Sequence, residues 1–212
     1  PAGPVRIVRT PRVVLACSAP AARRLLDGAG CTGAGPSIPS IPVGAPIARF
    51  MLVARVPDLE GAPVGSGLLV AEAESCPVRA KALSHLSAKW PWVGAELRAL
   101  HGPDVHALRL SYGRPGQPRP QVDLQVALDD VAALTGVRIE PEAVIDHMLV
   151  RWDGTLPPVT PAYRERTTRL EEQLAPVSGL EVTGAWVAGT GIAAVVGHAR
   201  TAAGRLVGPH GE

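Results

Sequence analysis

The sequence predicts a mixed chain of the α/β (α+β) class, in which helices flank a middle region built as an antiparallel sheet. Two observations predict it. A short apolar run at residues 13–17 has the character of a buried strand, and Pro20 then opens a helix over residues 21–26. Short apolar runs divided by prolines and glycines follow, as is typical of neighbouring strands joined by turns.

The middle strands are expected at residues 47–56, 67–70, 78–87 and 105–112, with a short helix at 95–100 after Pro91 and Gly94. Residues 122–134 form the clearest middle helix, because apolar side chains recur there at i, i+4, i+7 and i+8: Leu124, Leu128, Val131 and Ala132. Asp129 and Asp130 are expected on its solvated face.

The remaining elements are a strand at residues 143–152, a helix with a charged face at 163–174, a strand at 180–187 and a closing helix at 192–207. The closing helix is rich in alanine and glycine, so it presents a surface that permits close packing against a large neighbour. No predicted helix or strand precedes the first predicted strand, and we therefore expect the chain to be a fragment of a larger protein.

Composition and charge exclude several classes of protein function. The 212 residues carry 21 basic and 19 acidic side chains, a net charge of +2 that gives no basic field for nucleic acid. No run reaches the roughly 18 apolar residues of a membrane span, and residues 1–10 do not have the basic and apolar regions typical of a secretory signal. Three cysteines without CxxC spacing argue against a disulfide framework or a metal site and favour a reducing cytoplasm.

Two glycine patterns compete as ligand sites. Gly28 to Gly33 matches G-x-G-x-x-G, but a helix precedes it and a proline-rich loop follows, the wrong context for a nucleotide. The segment Gly189-Thr190-Gly191-Ile192 follows a predicted strand and opens a helix, so its bare amides and the positive helix end could face a ligand. A tight turn without a ligand is an equal alternative from spacing alone.

Aromatic and histidine residues give weaker signals. The Lys89-Trp90-Pro91-Trp92 segment is expected to be a buried corner, and Trp152 could line a planar ligand or belong to the core. His101 and His106 flank a turn and are expected to be solvated. No catalytic constellation is visible, which leaves the catalytic residues unknown and is typical of proteins whose chemistry belongs to a cofactor.

Five segments in order resemble the flavin-dependent protoporphyrinogen and coproporphyrinogen III oxidases of the flavin amine oxidase superfamily. They are VVLACSAPAA (13–22), LSAKWPW (86–92), RWDGTLP (151–157), GLEVTGAWVAGTGI (179–192) and RTAA (200–203). The resemblance covers the C-terminal half of that family, so it implies that an N-terminal FAD-binding half is missing from this chain.

The resemblance implies part of a Rossmann-like FAD domain at residues 1–35 and 150–212, and a substrate-binding domain at 36–149. It implies FAD- and oxygen-dependent oxidation of a porphyrinogen, either coproporphyrinogen III or protoporphyrinogen IX, to the porphyrin in heme biosynthesis. The cofactor-binding residues it implies are Trp152, Gly189, Thr190, Gly191 and Ile192. Oxidases of this family can associate with membranes, but the resemblance does not require a membrane-spanning segment in this chain.

This sequence departs from the family pattern at several positions near the implied flavin, including Thr190 in place of valine and Ala193 in place of proline. We expect the chain alone to bind FAD poorly. Two alternatives stay open: a non-catalytic fragment, and another oxidoreductase of the flavin amine oxidase type, against which the Lys89-Trp90-Pro91 segment argues.

Overall fold

The computed structural model describes residues 6–30, 44–73, 76–154, 157–158 and 160–208. Both helices and strands occur along this part of the chain, which confirms the predicted α/β class. The chain divides into two compact units: the sheet unit, Ala45–Asp153, and the two-segment unit, Pro1–Gly44 with Gly154–Glu212. Within the described residues, no helix combines the length and apolar character needed to cross a membrane.

Strands and helices are numbered separately along the chain. The strands are β1 (Val13–Leu15), β2 (Gly44–Arg55), β3 (Gly67–Leu69), β4 (Ala82–His85), β5 (Val105–Tyr112), β6 (Val144–Gly154) and β7 (Leu180–Val182). The helices are α1 (Ala19–Gly28), α2 (Leu86–Lys89), α3 (Pro91–His101), α4 (Leu124–Thr135), α5 (Pro161–Leu174), α6 (Ala185–Ala188) and α7 (Ile192–Val207).

The sheet unit is built on five strands in the order β3-β4-β5-β2-β6. The central pair β2 and β5 is antiparallel and places Phe50 opposite Leu110 and Leu52 opposite Leu108. Because side chains alternate across a strand, these residues point to one face, where they join the buried core with α4. The opposite face carries Arg49 and Met51, which are only partly buried.

Helix α4 packs on the core face of the sheet. Asp123 caps its N-terminus by accepting a hydrogen bond from the Val126 backbone N–H at 2.9 Å, and Gly136 ends it in the left-handed conformation. Leu128 and Val131 are buried, as the predicted apolar stripe requires.

The expectation that Asp130 is solvated is wrong. Its carboxylate is buried and accepts hydrogen bonds from the backbone N–H groups of Arg79 and Ala80 at 3.0 and 2.9 Å. These donors lie just before β4, and the described residues give them no strand partner there. The carboxylate therefore satisfies two amides that burial would otherwise leave unpaired.

The two-segment unit joins distant parts of the chain through a parallel pair. Strand β1 pairs with β7, with Val13 opposite Leu180 and Leu15 opposite Val182. Helices α1 and α5 pack beside the pair, and the unit's core contains Ala22, Leu26, Leu170, Leu174, Val182 and Trp186. Gly179 precedes β7 with φ 79°, where a side chain would collide with the Pro11 carbonyl oxygen.

Three segments differ from the sequence expectation. Residues 86–89 form helix α2 and residues 185–188 form helix α6, although the sequence pattern predicts the ends of strands at both places. The Trp90-Pro91-Trp92 segment is not a buried corner: both tryptophans are exposed, Trp92 by 67%.

The predicted solvation of His106 is also wrong. Its ring is 6% exposed and lies 3.1 Å from the buried His85 ring, between Nδ1 of His106 and Nε2 of His85. His101, the other residue of that expectation, is exposed. The predicted roles of segments 1–35, 36–149 and 150–212 as parts of a cofactor domain and a substrate domain stay predictions.

Candidate functional site

The glycine turn at residues 189–192 joins α6 to α7 in the two-segment unit. Gly189 has φ 100°, in the left-handed region that favours glycine, and Gly191 is the N-cap residue of α7. A side chain built on either glycine would meet open space, and no side chain caps the helix. The turn therefore presents backbone and a positive helix end without obstruction.

This turn is open to solvent. Thr190, Gly191 and Ile192 are exposed, and the Ile192 side chain is 84% exposed at the first position of α7. A single exposed apolar side chain is common on protein surfaces, so this exposure shows that the turn is accessible and does not by itself mark a binding site.

A shallow cleft of about 100 Å³ lies beside the turn. Its walls come from the start of α5, from α6 and from the segment before α5, with Pro157, Tyr163, Trp186, Gly189 and Thr190 among the lining residues. A small-molecule pocket usually measures roughly 300–1,000 Å³. This cleft is therefore large enough for one edge of a cofactor and too small for a whole dinucleotide.

Hydrogen bonds hold the wall of the cleft. The Tyr163 hydroxyl donates to the Trp186 carbonyl oxygen at 2.9 Å, and the Trp186 indole N–H donates to the Cys17 carbonyl oxygen at 2.9 Å. Burial raises the pKa of Tyr163, which keeps its hydroxyl protonated and able to donate. The first helix turn of α5 is fixed by Thr160, whose side chain accepts from the Tyr163 backbone N–H at 3.2 Å.

The cleft offers little acid–base chemistry. Among its lining residues the ionisable side chains are Tyr163 and Arg164, and there is no carboxylate or histidine. Across the described residues, no group of three or more His, Cys, Asp or Glu side chains is arranged to hold a metal ion. What the arrangement can do is bind and orient one side of a ligand that brings its own reactivity.

Trp152 lies on β6 in the sheet unit and its side chain is 53% exposed. The residues of the glycine turn, Gly189 to Ile192, belong to the two-segment unit. An exposed indole could stack on a planar ligand. That Trp152 and the turn contact the same cofactor stays a prediction.

Polar contacts attach α7 to the rest of its unit. The His198 ring lies between Thr183, at 3.0 Å from Nδ1 to the hydroxyl, and Glu171, at 2.9 Å from Nε2 to the carboxylate. Arg205 donates two hydrogen bonds to the Glu181 carboxylate, at 2.8 and 2.7 Å, which raise the pKa of the guanidinium. Ala202 is the buried residue of this helix.

Sequence reasoning missed this network, since its members are 15 to 27 positions apart and no spacing rule connects them. It also missed the His85–His106 pair and a group of basic residues on the outer face of the sheet. The signal that could have found the basic group is alternation: Arg49 and Arg109 each sit one position away from core residues on a predicted strand.

Comparison with known proteins gives the fold. No protein-family model matches the sequence, and no curated protein matches it significantly. A solved structure from Exiguobacterium sp. 255-15, provisionally named a protoporphyrinogen oxidase, aligns over 90% of this chain with a TM-score of 0.61 and 21% identity. Reduced UDP-galactopyranose mutase aligns over 85% with a TM-score of 0.56 and 11% identity.

The chain spans 39% of the length of the first of these proteins and 37% of the second. At such low identity the likeness establishes a shared fold. That fold is common to two proteins of different names, so it does not by itself select a reaction.

Proposed function

We propose that this chain is part of a flavin-dependent oxidoreductase that converts a porphyrinogen to the porphyrin. The observation that carries the proposal is the shared fold over 90% of the chain with the protein provisionally named a protoporphyrinogen oxidase. The five sequence segments that resemble that family also support it. The family that these segments resemble is flavin-dependent, which supports a flavin as the cofactor.

The residues of the glycine turn fit one edge of FAD. Open space lies where side chains on Gly189 and Gly191 would stand, so a flat ring could approach the backbone closely. The cleft beside the turn is too small for the whole cofactor. In this proposal Gly189, Thr190, Gly191 and Ile192 hold the flavin ring, and Trp152 contacts it from the sheet unit.

Bound FAD would accept hydride equivalents from the porphyrinogen in successive two-electron steps and pass them to oxygen, giving hydrogen peroxide. The chain's own contribution is positioning. The turn supplies backbone N–H groups and the positive end of α7, which favour electron density at the facing edge of the ring. Tyr163 and Trp186 keep this surface in place through their hydrogen bonds.

The rest of the cofactor site would come from another stretch of polypeptide. The chain spans about two fifths of its structural neighbours. In the two-segment unit, apolar side chains that a complete parallel sheet would cover are exposed, among them Val13 and Val14 on β1 and Val196 on α7. An N-terminal FAD-binding half would cover such residues and hold the adenosine end of the cofactor. The cytoplasm is the proposed location.

The test is reconstitution. The purified chain is mixed with FAD, with and without a supplied N-terminal half, and bound flavin is measured by absorbance after gel filtration. We expect little flavin on the chain alone, and about one flavin per pair with porphyrinogen oxidation and peroxide release. Stoichiometric flavin on the chain alone would refute the two-part site, and a flavin-loaded pair without porphyrinogen oxidation would refute the reaction.

A matched pair of variants tests the turn. Gly191→Leu places a side chain in open space at an ordinary φ of −81°, so the fold tolerates it while the cofactor edge is obstructed. Gly204→Leu, near the other end of α7, also meets open space and serves as the control. We expect only the first to lower flavin occupancy of the reconstituted pair, by tenfold or more.

Two alternatives would give other outcomes. A non-catalytic fragment would fail to bind flavin even with the supplied half. Another oxidoreductase of the flavin amine oxidase type would bind flavin and oxidise an amine, leaving both porphyrinogens untouched. The Lys89-Trp90-Pro91 segment argues against the second of these alternatives, because it resembles the porphyrinogen oxidases. In the structure Trp90 of this segment is exposed.

A further inference from the structure

The outer face of the five-stranded sheet carries a cavity of about 660 Å³ in the sheet unit. Basic side chains from different elements line it. They are Arg49 of β2, Lys81 before β4, Lys89 of α2, Arg109 of β5 and Arg114 after β5. Ser66, Ser84 and Ser111 add hydroxyl groups, and among the lining residues that the structure describes there is no aspartate or glutamate.

Strand register explains why the cations converge. Arg49 lies opposite Ser111, and Met51 lies opposite Arg109, in the antiparallel pair of β2 and β5. Arg49 and Arg109 are therefore diagonal neighbours on one face, with backbones separated by roughly 7–8 Å. Ser84 of β4 lies opposite Arg109 on the other side. The sheet thus fixes the spacing of the positive groups.

These cations have neutral partners. Arg109 donates to the Ser84 hydroxyl at 3.1 Å and Arg49 donates to the Ser111 hydroxyl. Lys81 donates to the Gly113 carbonyl oxygen at 2.6 Å, and Arg114 donates to the Val70 carbonyl oxygen at 2.8 Å. None of the contacts described for these four side chains is to a carboxylate.

Arg109 also keeps an unsatisfied donor. Its Nε is buried and has no hydrogen-bond partner among the described residues. Partial burial lowers the pKa of Arg49 and of Lys81, and neighbouring cations lower them further: Arg109 acts on Arg49, and Arg49 and Arg114 act on Lys81. Positive charges that have no carboxylate among their described contacts favour an anionic ligand.

The size and shape of the site indicate the class of ligand. A concave cavity of this volume suits a small molecule, and the net charge of +2 gives no wide basic surface for nucleic acid. Guanidinium groups bind carboxylates through two parallel hydrogen bonds. Cations set several ångströms apart match a ligand whose carboxylates are also apart, since one carboxylate cannot reach them all.

We propose that this basic face binds a small organic molecule carrying several carboxylates. The identification of that molecule as a porphyrinogen, with its propionate groups on Arg49 and Arg109, rests on the proposed function. On that basis the site favours the porphyrinogen with four propionates, coproporphyrinogen III, over protoporphyrinogen IX, which has two.

The test uses stable probes and the 212-residue chain without flavin. Isothermal titration at low ionic strength compares coproporphyrin III, protoporphyrin IX, the small tricarboxylate tricarballylate, and inorganic pyrophosphate. We expect coproporphyrin III to bind at least tenfold more tightly than protoporphyrin IX, and tricarballylate to bind more tightly than pyrophosphate. Affinity that does not depend on the number of carboxylates, or tighter binding of pyrophosphate, would overturn the proposal.

Substitutions locate the binding. Arg49→Met and Arg109→Met should each weaken the binding of coproporphyrin III and of tricarballylate about tenfold. Arg114→Gln should do the same, at a partly buried position in the turn after β5. Arg138→Met is the control, because Arg138 is exposed and pairs with Glu140 away from the cavity. Equal affinities in the control and the three variants would contradict the site.

The two proposals fail separately. If tricarballylate binds through Arg49 and Arg109 and neither porphyrin binds, the multicarboxylate site stands and its assignment to a porphyrinogen falls. The reaction itself falls only if the flavin-loaded pair leaves porphyrinogen unoxidised. If the porphyrins bind with affinities that the three variants leave unchanged, the basic face is not their site, and the porphyrinogen reaction is unaffected.

Discussion

His85 and His106 form a buried pair in the sheet unit, with Nε2 of the first 3.1 Å from Nδ1 of the second. The rings meet edge to face, and His85 is 1% exposed. Burial lowers the pKa of His85 to about 4, assisted by His106 and opposed by Glu60. Burial also lowers the pKa of His106, opposed by Glu60 and Asp104 and assisted by Arg98. Both rings are therefore neutral at pH 7.

This histidine pair makes the free energy of unfolding depend on pH. The unfolded chain takes up protons near the ordinary histidine pKa of roughly 6.5, whereas the folded pair resists them. The contribution is thus complete above pH 6.5 and is lost as the pH falls toward 4. We expect the free energy of unfolding to drop by on the order of 2 kcal/mol over this interval, measured by urea denaturation.

His85→Gln should flatten that pH dependence, and His101→Gln, at an exposed position, should leave it unchanged. A parallel loss of stability in all three proteins between pH 6.5 and 4 would show that the histidine pair is not responsible.

Asp130 is expected to be a large contributor to the stability of the sheet unit. Asp130→Ala removes the acceptor for two backbone N–H groups, at Arg79 and Ala80, one of them in a buried residue. Leaving such donors unpaired costs about 1–3 kcal/mol each, so we expect a loss of roughly 2–4 kcal/mol in urea unfolding. Asp129→Ala, at the exposed neighbouring position, should change stability by less than about 0.5 kcal/mol.

Gly179 should be intolerant of substitution. Gly179→Ala combines a left-handed φ of 79° with a collision against the Pro11 carbonyl oxygen, so it would separate β1 from β7. We expect a fall in the melting temperature of the two-segment unit. Gly204→Ala, in open space within a helix, should raise stability by about 0.5–1 kcal/mol. Equal effects of the two substitutions would exclude the collision.

Helix α7 should loosen when its polar contacts are cut. His198→Ala with Glu181→Ala removes the bridge to Thr183 and Glu171 and the paired bonds to Arg205. Because one residue of the helix is buried, little apolar packing would compensate. Hydrogen exchange should accelerate in residues 192–207 while α4 keeps its protection. Arg200→Ala, exposed on the same helix, is the control.

Local patterns predict most of the elements. Residues 105–112 and 192–207 have the predicted bounds in the structure, because alternation in one and a glycine start in the other mark them clearly. The glycine turn before α7 also follows from the sequence. Alternation along β2 and β5 would equally have placed Arg49 and Arg109 on the face opposite Phe50, but without pairing partners the sequence could not bring the two arginines together.

Long-range contacts explain the errors. Asp130 has the composition of a solvated helix position, and only the approach of residues 79 and 80 buries it. A turn near His106 favours solvent exposure, yet β4 brings His85 against it from 21 positions away. Trp90 and Trp92 are large apolar residues whose exposure no spacing rule would predict.

Strands β2 and β6, which open and close the sheet unit, are neighbours in its antiparallel sheet. The chain therefore enters and leaves the sheet unit at neighbouring points, as it does where one domain is inserted into another. A short linker from Gly44 to Gly154 could bypass the insertion without cutting the β1–β7 pair. Each unit could then be produced separately, and the two units could evolve at different rates within one gene.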